Sequence, residues 1–152
     1  MKLYKHSKIL LVVFLISIMA CNLNNQDTYT NILLKDWSGP YGGVPAFDKL
    51  DVNEIKSTMI KAMDLNLDDI DEITSIDVEP TFENTIIALE KSGQELSRAY
   101  AYYGILSSNM STPEFRAIQA ELSPKFSDFR SKINQNKKLF NRIKSIYDNS
   151  QV

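Results

Sequence analysis

The sequence is poorest in the two residues that carry most protein chemistry. Among 152 residues there is one histidine, His6, and one cysteine, Cys21. His6 lies in the N-terminal segment read below as a cleaved signal, so the mature chain has no imidazole to activate a serine or cysteine, and nucleophilic triads in their common form are excluded. Catalytic zinc usually takes histidine ligands, and no HExxH string occurs. A single cysteine makes no internal disulfide, so the core has to be packed rather than stapled. Glycine is scarce, and Gly39, Gly42 and Gly43 precede neither a Lys-Ser pair nor a helix start, which removes a phosphate loop. Neither an alternating strand pattern nor an internal repeat is present.

What is there begins with a targeting segment. Lys2, Lys5 and Lys8 precede the apolar run Ile9 to Ala20, too short to span a bilayer comfortably and ending in small residues. Residues 1–21 therefore read as a signal peptide. Cys21, directly after Ile18, Met19 and Ala20, resembles the lipidated cysteine of a bacterial lipobox, with Met19 a departure from the usual residue. Lipid contributes about 0.8 kcal/mol per buried methylene and would tether the chain to a membrane. An uncleaved anchor is the alternative, and both place the remainder outside the cytoplasm, in a bacterial cell envelope or periplasm. Removing this segment leaves 14 basic against 19 acidic residues, so the charge moves from −2 to −5. An acidic body without a basic cluster argues against a nucleic-acid partner.

Residues 22–30 are polar and aperiodic, as a tether would be. The stretch Leu33 to Leu50 mixes three glycines and two prolines with Trp37, Tyr41 and Phe47. That composition forbids a helix while the aromatics want burial, so an extended segment lying across a surface is expected. Asp51 and Glu54 have capping-box spacing ahead of Ile55, Met59, Met63, Leu67, Ile70 and Ile73, the stripe of an amphipathic helix. Its acids from Asp64 to Glu72 lack the glycine and final ligand of a calcium loop and read as a solvated face.

Thr81 is an N-cap and Glu83 lies in a first turn, where the helix dipole favours an acid. Phe82, Ile86, Leu89, Gly93, Leu96, Tyr100, Tyr103 and Ser107 then alternate at four and three, predicting one long seam in which Gly93 lets a neighbour approach. Thr112 is a second N-cap with Pro113 at the first helical position, so a tight turn makes an antiparallel hairpin. Its second arm carries Phe115, Ile118, Leu122, Phe126, Phe129 and Ile133, with Pro124 expected to bend it. A last helix from about Lys137 presents Leu139, Ile143 and Ile146. The fold class is all-α: a long helical hairpin with flanking helices.

The remaining candidates for chemistry are weak. Glu83 and Glu90 share a face, but the helix dipole accounts for one and solvent for the other. Asn109 opens a glycosylation acceptor, which has no expected meaning in a bacterial exporter. Tyr100, Tyr102 and Tyr103 are candidates for a ligand groove, though two of them fit the seam and core packing is the better reading. No catalytic or metal residue is assigned. The assignments are lipidation at Cys21 and structural roles for Thr81, Glu83, Gly93, Thr112 and Pro113.

Three stretches in order, "WSGPYGGVPAFDKL", "EPTFENTIIALEKSG" and "SSNMSTPEFRAIQAELSPKF", resemble the N-terminal region of the zinc metallopeptidases that include thimet oligopeptidase, oligopeptidase A and bacterial peptidyl-dipeptidase. "GPYGGVP" is most similar to the peptidyl-dipeptidase branch. The resemblance covers residues 31–148 and implies a two-lobed helical peptidase acting on short peptides in a deep channel. There, zinc is held by an HExxH helix and a further glutamate, with the first glutamate as general base. Those elements lie far downstream of the matched region, so the resemblance gives residues 31–152 the part of a channel-wall scaffold. It implies an incomplete chain whose catalytic region is missing and whose zinc belongs to the parent. The alternative is a self-contained helical lipoprotein that binds peptides or a protein partner without cleaving them.

Overall fold

The computed structural model describes residues 31–40 and 43–150. The expected signal peptide 1–21, Cys21, the tether 22–30 and Tyr41 and Gly42 lie outside the described residues. Among the described residues five α-helices follow a loop segment: α1 (Ile55–Ser75), α2 (Ala88–Lys91), α3 (Gln94–Asn109), α4 (Pro113–Asn134) and α5 (Lys137–Asn149). No strand longer than the isolated bridge Ser38 to Val44 occurs among the described residues, so the chain is all-α.

Helix α1 is the hub against which α3, α4 and α5 all pack. Its stripe buries Ile55, Met59, Met63, Ile70 and Ile73 together with Thr58, Ala62 and Asn66, the one-sided burial that its apolar period requires. Phe115 and Leu122 of α4 are completely buried, and burial on that scale contributes about 1.5–3 kcal/mol per side chain. Helix α4 runs unbroken through Pro124, whose missing N–H leaves a carbonyl of the preceding turn without its helical donor.

Helices α3 and α4 form the hairpin arms. Gln119 donates to the Ser107 hydroxyl at 3.0 Å near the turn, and Tyr100 meets Phe126 at 5.5 Å about two turns further away, so the arms run antiparallel. Tyr103 packs at 5.4 Å from Phe115 and 5.5 Å from Phe126. The seam between the arms is therefore aromatic.

The single long helix expected from Thr81 to Ser107 is not formed. A wide π-type turn, Phe82–Ile87, leads into the short α2, and Ser92 and Gly93 separate α2 from α3. Gly93 has φ +65°, left-handed backbone that no helix interior contains. The four-three alternation runs straight across this break and so conceals it. Beyond the break the buried face is Leu96, Ala99, Tyr102 and Leu106; Phe82 and Tyr100, expected in the seam, are 53% and 38% exposed. In α5 the buried side chains are Leu139 and Arg142, while Ile143, expected to pack, is exposed.

The loop segment does lie across the helices. Leu33 and Leu34 are buried in the main core. Arg98 of α3 donates from Nε to the Leu34 carbonyl at 2.8 Å and pairs with Asp36 at 2.8 Å. Gly43, at φ +98°, closes the turn so tightly that a Cβ would stand 2.6 Å from the Trp37 backbone.

Candidate functional site

The string Thr81-Phe82-Glu83-Asn84-Thr85 folds into a polar hub. Thr81 Oγ1 accepts the Asn84 backbone N–H at 3.1 Å, and Asn84 Oδ1 accepts the Thr81 N–H at 2.9 Å. This is a reciprocal capping box with asparagine where glutamate or glutamine is usual, and Glu83 lies in the first turn as expected. Glu83 itself is exposed. Asn84 Nδ2 also donates to the Glu79 carbonyl at 3.0 Å, fixing the chain that leads into the turn.

Arg142 enters this hub from α5 and is 7% exposed. Its Nη2 donates to Asn84 Oδ1 at 2.8 Å and its Nε to Thr85 Oγ1 at 3.2 Å. Its Nη1 donates to the carbonyls of Ile76 at 3.0 Å and Val78 at 3.4 Å. Thr85, completely buried, donates a hydrogen bond from its hydroxyl to Asn84 Oδ1 at 2.9 Å. One arginine thus ties together the end of α1, the loop after it and the capped turn.

Gly93 forms a second junction. Its N–H donates to the Asp69 carboxylate at 2.8 Å, and a Cβ in its place would stand 2.7 Å from Asn66 Nδ2. Asn66 in turn donates to the Ser92 hydroxyl at 3.3 Å. Asp69 belongs to the acidic run read as solvated, so one of those acids holds the break between α2 and α3. The close approach at Gly93 is to polar side chains of α1, at a corner rather than within a helix.

Thr112 caps α4 by accepting the Phe115 N–H at 3.2 Å, with Pro113 at the first helical position. Glu114 beside it is held below the ordinary carboxylate range by the hydrogen bond of its own backbone N–H and by the Thr112 hydroxyl. Asp51 caps a 3-10 turn, Val52–Glu54, by accepting the Asn53 N–H at 2.9 Å, and that turn leads directly into α1. Of the three tyrosines, Tyr102 is completely buried, and its hydroxyl accepts the Ala46 N–H at 2.9 Å.

A groove of about 500 Å³ separates α1 from α4, with Ile60, Met63, Leu67, Pro124 and Phe129 among its walls. Charged walls come from Asp64, Glu121, Lys125, Asp128 and Lys132. Lys56 of α1 pairs with Glu121 of α4 beside it, and that ammonium holds the Glu121 carboxyl below its usual range. Lys132 pairs with Asp128 along α4 at 2.9 Å.

The donor set for a catalytic zinc is not assembled by these residues: among the described residues no group of three His, Cys, Asp or Glu side chains converges. His6 and Cys21 lie outside the described residues. Glu83 and Glu90, which helical spacing would put on one face, are both exposed.

No family model matches the chain. It is 24% identical over 127 residues to organellar oligopeptidase A, chloroplastic/mitochondrial, of Arabidopsis thaliana, a match covering 82% of this chain and 15% of the relative. It is 26% identical over 105 residues to a probable cytosolic oligopeptidase A of the same plant, covering 67% of this chain and 14% of the relative. These similarities support a relationship to the thimet oligopeptidase family. The matches span about one seventh of the length of either relative.

Proposed function

We propose that this chain is the N-terminal helical region of an exported, lipid-anchored zinc metallopeptidase that hydrolyses short peptides, closest to bacterial peptidyl-dipeptidase. The observation that carries the reading is the pair of partial matches to oligopeptidases A, which use most of this chain and a small share of the relatives. The narrower assignment to peptidyl-dipeptidase rests on the string "GPYGGVP", and the export and anchor on residues 1–21. In this reading the helices are a scaffold. The hairpin and α1 form part of a wall that limits which peptides enter, while zinc and its general base belong to the remainder of the parent, where the metal would polarise the scissile carbonyl and activate water.

The test is direct. Residues 22–152, purified, are expected neither to bind zinc at micromolar concentration nor to release C-terminal dipeptides from short peptides. Detection of either activity would place chemistry in this region and overturn the scaffold reading.

A second reading has an observation in its favour. Tyr102, Phe115, Leu122 and Met59 are completely buried and pack in one cluster, so the region has a core of its own. A self-contained helical lipoprotein that binds peptides or a protein partner without cleaving them would be built in the same way.

A further inference from the structure

We infer that Arg142 is a latch, and that α5 is a strap which the latch fastens to the capped turn and which can open while the rest of the fold stays closed. Helix α5 has little apolar hold. Its buried side chains are Leu139 and Arg142, and neither belongs to the main core cluster formed by the loop segment, α1, α3 and α4. Of its other large apolar residues, Phe140, Ile143 and Tyr147 are 62%, 38% and 63% exposed, and Ile146 is only half-buried. Its partners are α1 and the Phe82–Ile87 turn.

The polar hold is strong and local. A guanidinium at 7% exposure needs its hydrogen bonds satisfied, since removing it from water is costly. Among the described residues no carboxylate pairs with Arg142; its acceptors are two backbone carbonyls, an amide oxygen and a hydroxyl. Those oxygens are spread so that a planar fork reaches them together, which a single ammonium does not do. Once the fork is gone, the cheapest relaxation is for α5 to lift and let water reach the carbonyls of Ile76 and Val78. Melting α1, α3 and α4 would instead forfeit the main core.

Hydrogen exchange read by mass spectrometry on the full chain and its Arg142→Met and Arg142→Lys variants tests this. In Arg142→Met, amides of α5 and of the Phe82–Ile87 turn are expected to exchange roughly tenfold faster or more, with α1, α3 and the first half of α4 unchanged. Arg142→Lys is expected to resemble the methionine variant, because charge without the fork does not close the latch. Unchanged exchange in α5 would overturn the inference. So would equal acceleration throughout the chain, including outright unfolding, or a lysine variant indistinguishable from the parent.

Discussion

The Tyr102 hydroxyl accepts the backbone N–H of Ala46 at 2.9 Å, from a side chain with no exposed surface. This joins the glycine and proline-rich segment to the centre of α3, and Phe47 seals the joint edge-on to the same ring at 5.2 Å. Tyr102→Phe keeps the ring and removes the acceptor. The Ala46 N–H then loses its partner, and the variant is expected to be less stable by about 1–2 kcal/mol in urea unfolding. A loss below about 0.5 kcal/mol would mean that water replaces the hydroxyl freely and that the segment is not fastened there.

Gly93 carries a conformational and a steric demand together. Alanine at φ +65° costs about 1–2 kcal/mol for the left-handed backbone alone, and its Cβ would press on the Asn66 amide. Gly93→Ala is expected to lower stability by about 2 kcal/mol or more. Adding Asn66→Ala makes room for the methyl group but leaves the backbone cost. The double variant is therefore expected to recover only part of the loss, and full recovery would show that contact with Asn66, not backbone conformation, selects glycine.

Two exposed carboxylates give the fold a pH dependence of known sign. Glu114, through the hydrogen bond of its own N–H and the Thr112 hydroxyl, and Glu121, through Lys56, both titrate below the ordinary carboxylate range when folded. A depressed folded value means stability that is present above the unfolded carboxylate pKa and is lost as pH falls through the folded one. The pair Glu114→Gln, Glu121→Gln is expected to be less stable than the parent at neutral pH and to converge with it below roughly pH 4, the free carboxylate value. Melting curves that stay equally separated from pH 7 to 3 would contradict this.

Cap loss supplies an independent check on the hairpin turn. Thr112→Ala is expected to cost about 1 kcal/mol by orphaning the Phe115 N–H, with Thr112→Ser restoring most of it. Circular dichroism during urea unfolding reads both. An alanine variant as stable as the parent would indicate that Pro113 alone sets the start of α4.

The all-α class, α1, the hairpin and the start of the last helix were legible in the sequence because their apolar residues recur at helical spacing and Thr112 with Pro113 marks the start of the second arm. The break at Gly93 was not, since Leu89, Gly93 and Leu96 keep that spacing across it. What enforces the break is Asp69 and Asn66, more than twenty residues away and brought there by the fold. The buried face of α3 was only partly legible for the same reason: Leu96 is buried as expected, but Ala99, Tyr102 and Leu106 turn inward where Tyr100 and Ser107 were expected, because the pattern runs through a corner that re-aims it. Arg142 gave no signal at all. Its partners include backbone carbonyls, which no sequence pattern marks, and Asn84 stood where a capping box usually shows glutamate.

The proposed role of this chain is that of the scaffold end of a longer zinc peptidase. Sequencing the transcript past the codon for Val152 tests it most directly. The expected result is an open frame of several hundred further residues that includes HExxH and a downstream glutamate, of the size that a one-seventh share of the relatives implies. A stop codon directly after Val152, with a stable monomeric product, would contradict it and leave the self-contained helical lipoprotein.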